Sequence, residues 1–272
     1  MPDGFGGFAL AVLALGFGAA LIAPPAPRVA AHRGGALLWP ENSLGAFRRA
    51  LALGVDYLET DVHLTADGEV VALHDATLDR TTTATGAVRR STAATLAPVR
   101  LRDRAGAVTD EPVPSLADVL ALLAPSRAGL LLEIKLDERG LRYPSIEETI
   151  IGQVRARDLA ARTIVMAFEP DTVARVRELD PTLRTVLLVG SPLARRRQAA
   201  AGVRRAAELG AWGAGLQHRL LDAAVVAAGR AAGLALAAWT VNETTDLRRI
   251  IGLGAEILIS DRPDLALQEL GR

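Results

Sequence analysis

The sequence predicts an α/β protein: a (β/α)8 TIM barrel with a small insertion after its second strand and an apolar helix at its N-terminus. Three observations lead there. Beyond Arg28, short apolar runs rich in β-branched residues alternate with capped amphipathic stretches, which is the pattern of parallel βα units. There are eight such runs, at 28–32, 56–62, 130–134, 163–168, 184–189, 212–216, 234–240 and 256–259. The chain of 272 residues, less its first two dozen, has the length of one such barrel, about 250 residues. No repeat or low-complexity linker divides it, so one domain is expected over 27–272.

The N-terminal segment, 1–26, stands apart. No charge interrupts the chain from Gly4 to Pro27, and Phe5 to Ile22 is nearly continuous alanine, leucine, valine, glycine and phenylalanine. A membrane-spanning helix needs about 20 such residues. Only Asp3 precedes the stretch, where a signal peptide would carry basic residues, and Pro24, Pro25 and Pro27 make a poor cleavage site. An uncleaved anchor or an atypical signal is therefore expected, with an apolar helix over 5–22 lying outside the barrel. This places the protein at a membrane or exported to the cell envelope, with a cytoplasmic location as the alternative.

Within the barrel, Asn42 or Ser43 caps a helix whose Leu44, Phe47 and Leu51 share one face and which Gly54 closes. After the second strand a ninth apolar run, Val70 to Leu73, follows only Ala66-Asp67-Gly68. Three residues cannot make a parallel crossover, so this run folds back antiparallel. That register sets His74 beside Thr60, level with Glu59 and Asp61. Residues 75–114 lack periodicity and read as an excursion over the top of the barrel. Capping boxes are expected at Ser115–Asp118 and Ser145–Glu148, and Ser191-Pro192 opens a helix that Gly210 ends.

Lysine plus arginine balance aspartate plus glutamate at 31 each, so no summed field favours a nucleic acid. Cysteine is absent, which removes disulfides, thiolate metal sites and cysteine nucleophiles. Any metal must sit on carboxylates, histidines or carbonyls. Lys135 is the sole lysine among many arginines, which suggests a role that arginine does not fill.

Glu59 and Asp61, two apart on the second strand, face the same side of the sheet and into the barrel. Glu133 and Lys135 repeat that spacing at the end of the third. Three carboxylates and an ammonium thus converge at the C-terminal mouth, where barrel enzymes place their active sites. Oxygen ligation by Glu59, Asp61 and Glu133 suits Mg2+ or Ca2+; a buried salt-bridge cluster of Glu59, Glu133, Lys135 and Arg33 is the alternative. His32 and His74 end the first strand and the hairpin beside this cluster, as two proton-transfer groups would. Arg33 is placed to clamp an anionic oxygen, and Gly34-Gly35 to admit substrate close to the backbone. Phe168 and Trp239 lie at strand ends and offer apolar contact, although core packing suits Phe168 equally. His63 is expected on the face opposite Asp61 or on the hairpin above the barrel, in a structural role. His218 lies at the correct end of its strand for either role, and Arg195, Arg196, Arg197, Arg204 and Arg205 form a solvated helix face.

The segments Ala31-His-Arg-Gly, Pro40-Glu-Asn-Ser, Leu58-Glu-Thr-Asp-Val-His-Leu-Thr-Ala-Asp-Gly, Leu73-His-Asp, Arg80-Thr-Thr, Glu133-Ile-Lys and Trp239-Thr-Val-Asn, with Ile259-Ser-Asp, closely resemble the glycerophosphodiester phosphodiesterase family from Val29 to Pro263. Two departures are Ser43 for the usual threonine and Met166-Ala167 where a Ser-Ser pair is common. The resemblance implies a TIM barrel with an insertion, a divalent metal on Glu59, Asp61 and Glu133, and His32 and His74 as the acid–base pair. It implies hydrolysis of deacylated phospholipids to sn-glycerol 3-phosphate and an alcohol through a cyclic phosphate. A lysophospholipase D-type or cyclising phosphodiesterase acting on lysophospholipids is the second reading, marked by an apolar path at the mouth. A non-catalytic diester-binding barrel is the third, and it gives no reason for two histidines titrating near neutrality.

Overall fold

Eight parallel strands close on themselves in the computed structural model, which describes residues 26–190 and 196–272. The first half of the chain runs β1 (Arg28–Ala31), α1 (Leu44–Leu53), β2 (Tyr57–Leu64), β3 (Val70–Ala72), α2 (Ala93–Leu96), β4 (Arg100–Arg102), β5 (Val108–Pro112), α3 (Leu116–Leu123) and β6 (Gly129–Ile134). The second half runs α4 (Ile146–Arg155), β7 (Thr163–Ala167), α5 (Pro170–Leu179), β8 (Arg184–Val189), α6 (Arg196–Glu208), β9 (Gly213–Gln217), α7 (Ala223–Ala231), β10 (Ala235–Trp239), α8 (Thr244–Leu253), β11 (Ile257–Ser260) and α9 (Pro263–Glu269). The barrel order is β1-β2-β6-β7-β8-β9-β10-β11, with β11 back on β1. The eight expected strands are thus present. The apolar stretch 5–22 and the helix start at Ser191-Pro192 lie outside the described residues, and among those described no helix is long and apolar enough to cross a membrane.

Strand alternation divides the apolar side chains into two cores. Leu58 and Val62 of β2 and Leu130, Leu132 and Ile134 of β6 join the helices in the larger one. Tyr57 and Leu131 join Ala30, Ile164, Met166, Val186, Leu188, Ala237, Ile257 and Ile259 in a second, which fills the barrel interior. The next inward positions above Tyr57 and Leu131 are Glu59, Asp61 and Glu133, so the acidic cluster rests on an apolar floor.

β3 pairs antiparallel with β2 in the expected register, Val62 with Ala72 and Leu64 with Val70. Beyond it, the excursion is more ordered than its sequence suggested: β4 and β5 form a separate antiparallel pair, and Val71, Leu73, Leu78, Val88, Leu96, Val99 and Leu101 make a small core of their own. From Leu78 onward those positions are too sparse to sustain helical or strand spacing, which is why no element was legible there.

Ser43, not Asn42, caps α1 by accepting from Ala46 N at 3.0 Å, and Ser115 and Asp118 form the expected capping box. The box expected at Ser145 is not formed. Ser145 adopts φ +59° without a cap bond, and Glu148 turns outward to Arg175 of α5. A charged partner on the neighbouring helix outcompetes a lone backbone N–H.

Leu131 is fully buried beneath the acidic cluster. Leu131→Ala should cost about 2–5 kcal/mol, measured as a lower urea midpoint at unchanged slope; an unchanged midpoint would show that the interior is not packed as described.

Candidate active site

β1 ends in a tight turn, His32–Gly34, where Arg33, Gly34 and Gly35 adopt φ of 51°, 83° and 103° in succession. Left-handed backbone favours glycine, and a Cβ on Gly34 would lie 2.8 Å from that of Ala46. This turn presents the Arg33 N–H to Glu59 Oε2 at 2.8 Å and the Arg33 guanidinium to Asp61 Oδ2 at 3.3 Å. The glycine pair therefore fixes how Arg33 meets two carboxylates.

Glu59, Asp61 and Glu133 each offer an oxygen within 4.8 Å of the others, and all three are buried. Lys135 Nζ lies 2.7 Å from Glu133 Oε1 and 3.2 Å from Asp61 Oδ1. Asn42 donates to Asp61 Oδ2 at 3.1 Å, but Asp61 Oδ1 has no partner in hydrogen-bonding geometry. Arg33 and Lys135 leave one of the three carboxylate charges unbalanced. Burial and the neighbouring Asp61 accordingly push Glu59 up to about 8. Burial also raises Glu133, with Lys135 countering. Asp61 is buried as well, yet Lys135 and Arg33 hold it well below the usual carboxylate range. Excess negative charge in a buried, all-oxygen donor set fits a hard divalent cation, which these three residues could hold.

Each histidine is oriented by a carboxylate. His32 Nδ1 lies 2.6 Å from Asp261 Oδ1, and His74 Nδ1 lies 2.6 Å from Asp75 Oδ1. A carboxylate only accepts, so Nδ1 carries the proton in both cases and Nε2 remains for chemistry; His32 Nε2 lies 4.0 Å from Glu59 Oε2. Burial lowers the pKa of both rings. For His32 the neighbouring Glu59 and Asp261 outweigh burial and the net shift is upward, whereas His74 remains lowered.

The mouth pocket, of about 120 Å3, is lined by His32, Arg33, Glu59, His74, Glu133, Lys135, Met166, Phe168, Leu188, Trp239, Thr240 and Ile259. It brings together the sequence-predicted residues except Asp61, which lies against the pocket residues Arg33 and Lys135. Phe168 is 42% exposed and stands edge-on to Trp239 at 5.4 Å, so it is a rim residue rather than core. His63 shares the strand parity of Asp61 rather than the opposite face, in the part of β2 that pairs with β3. Its Nε2 meets the His74 carbonyl at 3.1 Å and its Nδ1 the Tyr143 hydroxyl at 2.9 Å, and burial pushes it down to about 4. A neutral ring donating from Nε2 props the chain at His74, which is a structural role. His218 packs against Asp246 and Arg249 and does not line the pocket. Arg197, Arg204 and Arg205 are exposed, as a solvated face requires.

Residue reasoning placed none of Glu41, Asn42, Asp75, Arg80, Asn242 and Asp261 in the site, Asn42 being weighed only as a helix cap. Arg80 grips Glu41 at 2.8 and 3.0 Å and Asp75 at 2.6 and 3.0 Å, tying the insertion to the loop after β1 and bracing His74 through Asp75. Asn242 donates to Asp261 Oδ2 at 2.8 Å and so braces His32. The signal for Asp75 lay in its adjacency to His74. For Asp261, 229 residues from His32, only the closed barrel supplies it.

Comparison with known proteins agrees with this geometry. The model of the glycerophosphoryl diester phosphodiesterase family matches residues 32–265. A glycerophosphodiester phosphodiesterase of Caldanaerobacter subterraneus is 30% identical over 237 residues, covering 87% of this chain and 94% of its own. One of Bacillus altitudinis is 30% identical, covering 89% and 97%. A solved structure from Agrobacterium tumefaciens superimposes with a TM-score of 0.82 at 28% identity, covering 89% of this chain and 96% of that one. With the barrel, the acidic cluster and the paired histidines in place, the chain belongs to the glycerophosphoryl diester phosphodiesterase family.

Proposed function

We propose that this phosphodiesterase hydrolyses glycerophosphodiesters to sn-glycerol 3-phosphate and an alcohol. It does so with Mg2+ or Ca2+ on Glu59, Asp61 and Glu133 and with His32 and His74 transferring protons. The observation that carries this reading is the convergence at one barrel mouth of three buried carboxylates, short of positive charge, with two histidines each held at Nδ1 by a carboxylate. A phosphodiesterase of Oleispira antarctica, 25% identical with a TM-score of 0.76, is in complex with the product sn-glycerol-3-phosphate and supports the product class.

A bound cation would supply charge neutralisation and Lewis acidity at the phosphoryl group. Arg33 and Lys135 add positive charge where negative charge grows on the phosphoryl oxygens. The glycerol hydroxyl next to the phosphoester attacks phosphorus: its O–H proton passes to one histidine, the P–O bond to the alcohol breaks, and the other histidine protonates the departing oxygen. Water then opens the cyclic phosphate as the two histidines exchange roles. The two rings are shifted in opposite directions, His32 upward by Glu59 and Asp261 and His74 downward by burial, which suits one to act as acid and the other as base. Phe168 and Trp239 offer the glycerol backbone an apolar wall in a pocket of about 120 Å3. The adjoining cavity is lined largely by charged side chains, which favours a water-soluble diester over a lysophospholipid.

Three outcomes follow from this reading. Glu59→Gln and Glu133→Gln should each weaken Mg2+ or Ca2+ binding at least tenfold in titration calorimetry and lower kcat with the fold intact; unchanged affinity in both would remove the metal assignment. A 2-deoxyglycerol analogue should bind nearly as well as the diester yet turn over far more slowly, whereas turnover near the natural rate would mean that water attacks phosphorus directly. The pH profile of kcat should be bell-shaped, with its acid limb below the ordinary histidine value and its alkaline limb above it. Asp261 helps to raise His32, so Asp261→Asn should move the alkaline limb to lower pH and leave the acid limb in place. A profile that does not move would detach His32 from that limb.

A further inference from the structure

A second cavity, of about 470 Å3, opens beside the mouth pocket between the loop after β1 and the β4–β5 hairpin. The two are contiguous, since His32, Arg33 and Thr240 line both. A phosphodiester bound at His32 carries two substituents on one phosphorus. The smaller pocket has room for a glycerol, so the second substituent must leave toward the larger cavity.

The polar groups of that cavity are unequally satisfied. Its carboxylates are already engaged: Glu41 by Arg33 and Arg80, Asp261 by His32 and Asn242, and Asp103 by the backbone N–H groups of Ala105 and Ala107. Its donors are not. Arg102 spends Nε on the Thr82 carbonyl and Nη1 on that of Gly106, leaving Nη2 over, and Arg104 has no partner among the described residues. A ligand entering here therefore meets guanidinium donors in search of acceptors and no free carboxylate to receive a cation.

We infer that this cavity takes the leaving alcohol and selects one bearing an anionic group, met by Arg102 and Arg104 of the β4–β5 hairpin. The inference rests on the phosphodiesterase reading above and deepens it to a substrate class: diesters whose alcohol carries a further phosphate or carboxylate, in preference to choline or ethanolamine diesters. Arg102 is anchored at two carbonyls and sets the direction of the site, while exposed Arg104 supplies a charge that folding does not use.

The test measures kcat/KM at low ionic strength for glycerophosphocholine, glycerophosphoglycerol and bis(glycerophospho)glycerol, whose leaving alcohols are cationic, neutral and anionic. Wild type should prefer the anionic diester to the choline diester by tenfold or more, with the neutral one between them. Arg104→Glu should reduce that ratio at least tenfold, chiefly through KM. Arg48→Glu, the same charge change at an exposed residue of α1 that does not line the cavity, should leave the ratio unaltered and so controls for long-range steering. Equal kcat/KM across the three diesters in wild type would overturn the inference and leave the phosphodiesterase reading standing. So would a change of ratio in Arg48→Glu as large as that in Arg104→Glu. Hydrolysis of none of the three would instead sink the phosphodiesterase reading itself.

Discussion

Glu59, Asp61 and Glu133 are carboxylates taken out of water with two fixed cations beside them, and the arrangement of the barrel mouth follows from that imbalance. A buried charge without compensation is costly enough that the group neutralises or acquires a partner. Here the compensation is divided. Lys135 reaches Asp61 and Glu133, Arg33 reaches Asp61 with its side chain and Glu59 with its backbone N–H, and His32 stands at the edge of Glu59. Each of these positive or donating groups also faces the space where a phosphodiester anion would sit. The residues that make the acidic cluster tolerable are therefore those that would bind the substrate. One electrostatic deficit in this way accounts for both the metal assignment and the anion-binding one.

The fold enforces this placement. Period-two alternation on β2 and β6 sends the acids inward above an apolar floor, and parallel pairing brings Asp61 level with Glu133. The loops then complete what the strands begin. The left-handed turn after β1 aims Arg33, the end of β11 delivers Asp261 to His32, and Arg80 in the insertion locks Asp75 against His74. The insertion thus has two faces, one bracing His74 and one lining the cavity proposed to take the leaving alcohol.

Much of this was legible in the sequence because strand parity and chain direction are local properties. Glu59, Asp61, Glu133 and Lys135 could be aimed inward from their spacing alone, and a three-residue connection left Val70 no choice but to turn back. The orienting carboxylates were not legible in the same way. Asp75 and Asp261 look like any loop aspartates until the barrel closes, and Asp261 becomes a partner of His32 only because β11 pairs with β1. The core of the insertion was missed since its apolar residues keep no regular period. At Ser145, a correct local motif lost to a tertiary ion pair between Glu148 and Arg175.

The central claim is that the acidic cluster is built around a divalent cation rather than closed upon itself by Lys135 and Arg33. It is tested most directly by diffraction from crystals of the protein grown with Mn2+, recorded at the manganese absorption edge. The account predicts one strong anomalous peak per chain in the mouth pocket, within about 2.0–2.6 Å of oxygens from Glu59, Asp61 and Glu133. A pocket without that peak, in crystals of an enzyme that retains full activity in chelator, would show that the salt-bridge cluster is the complete structure and would contradict it.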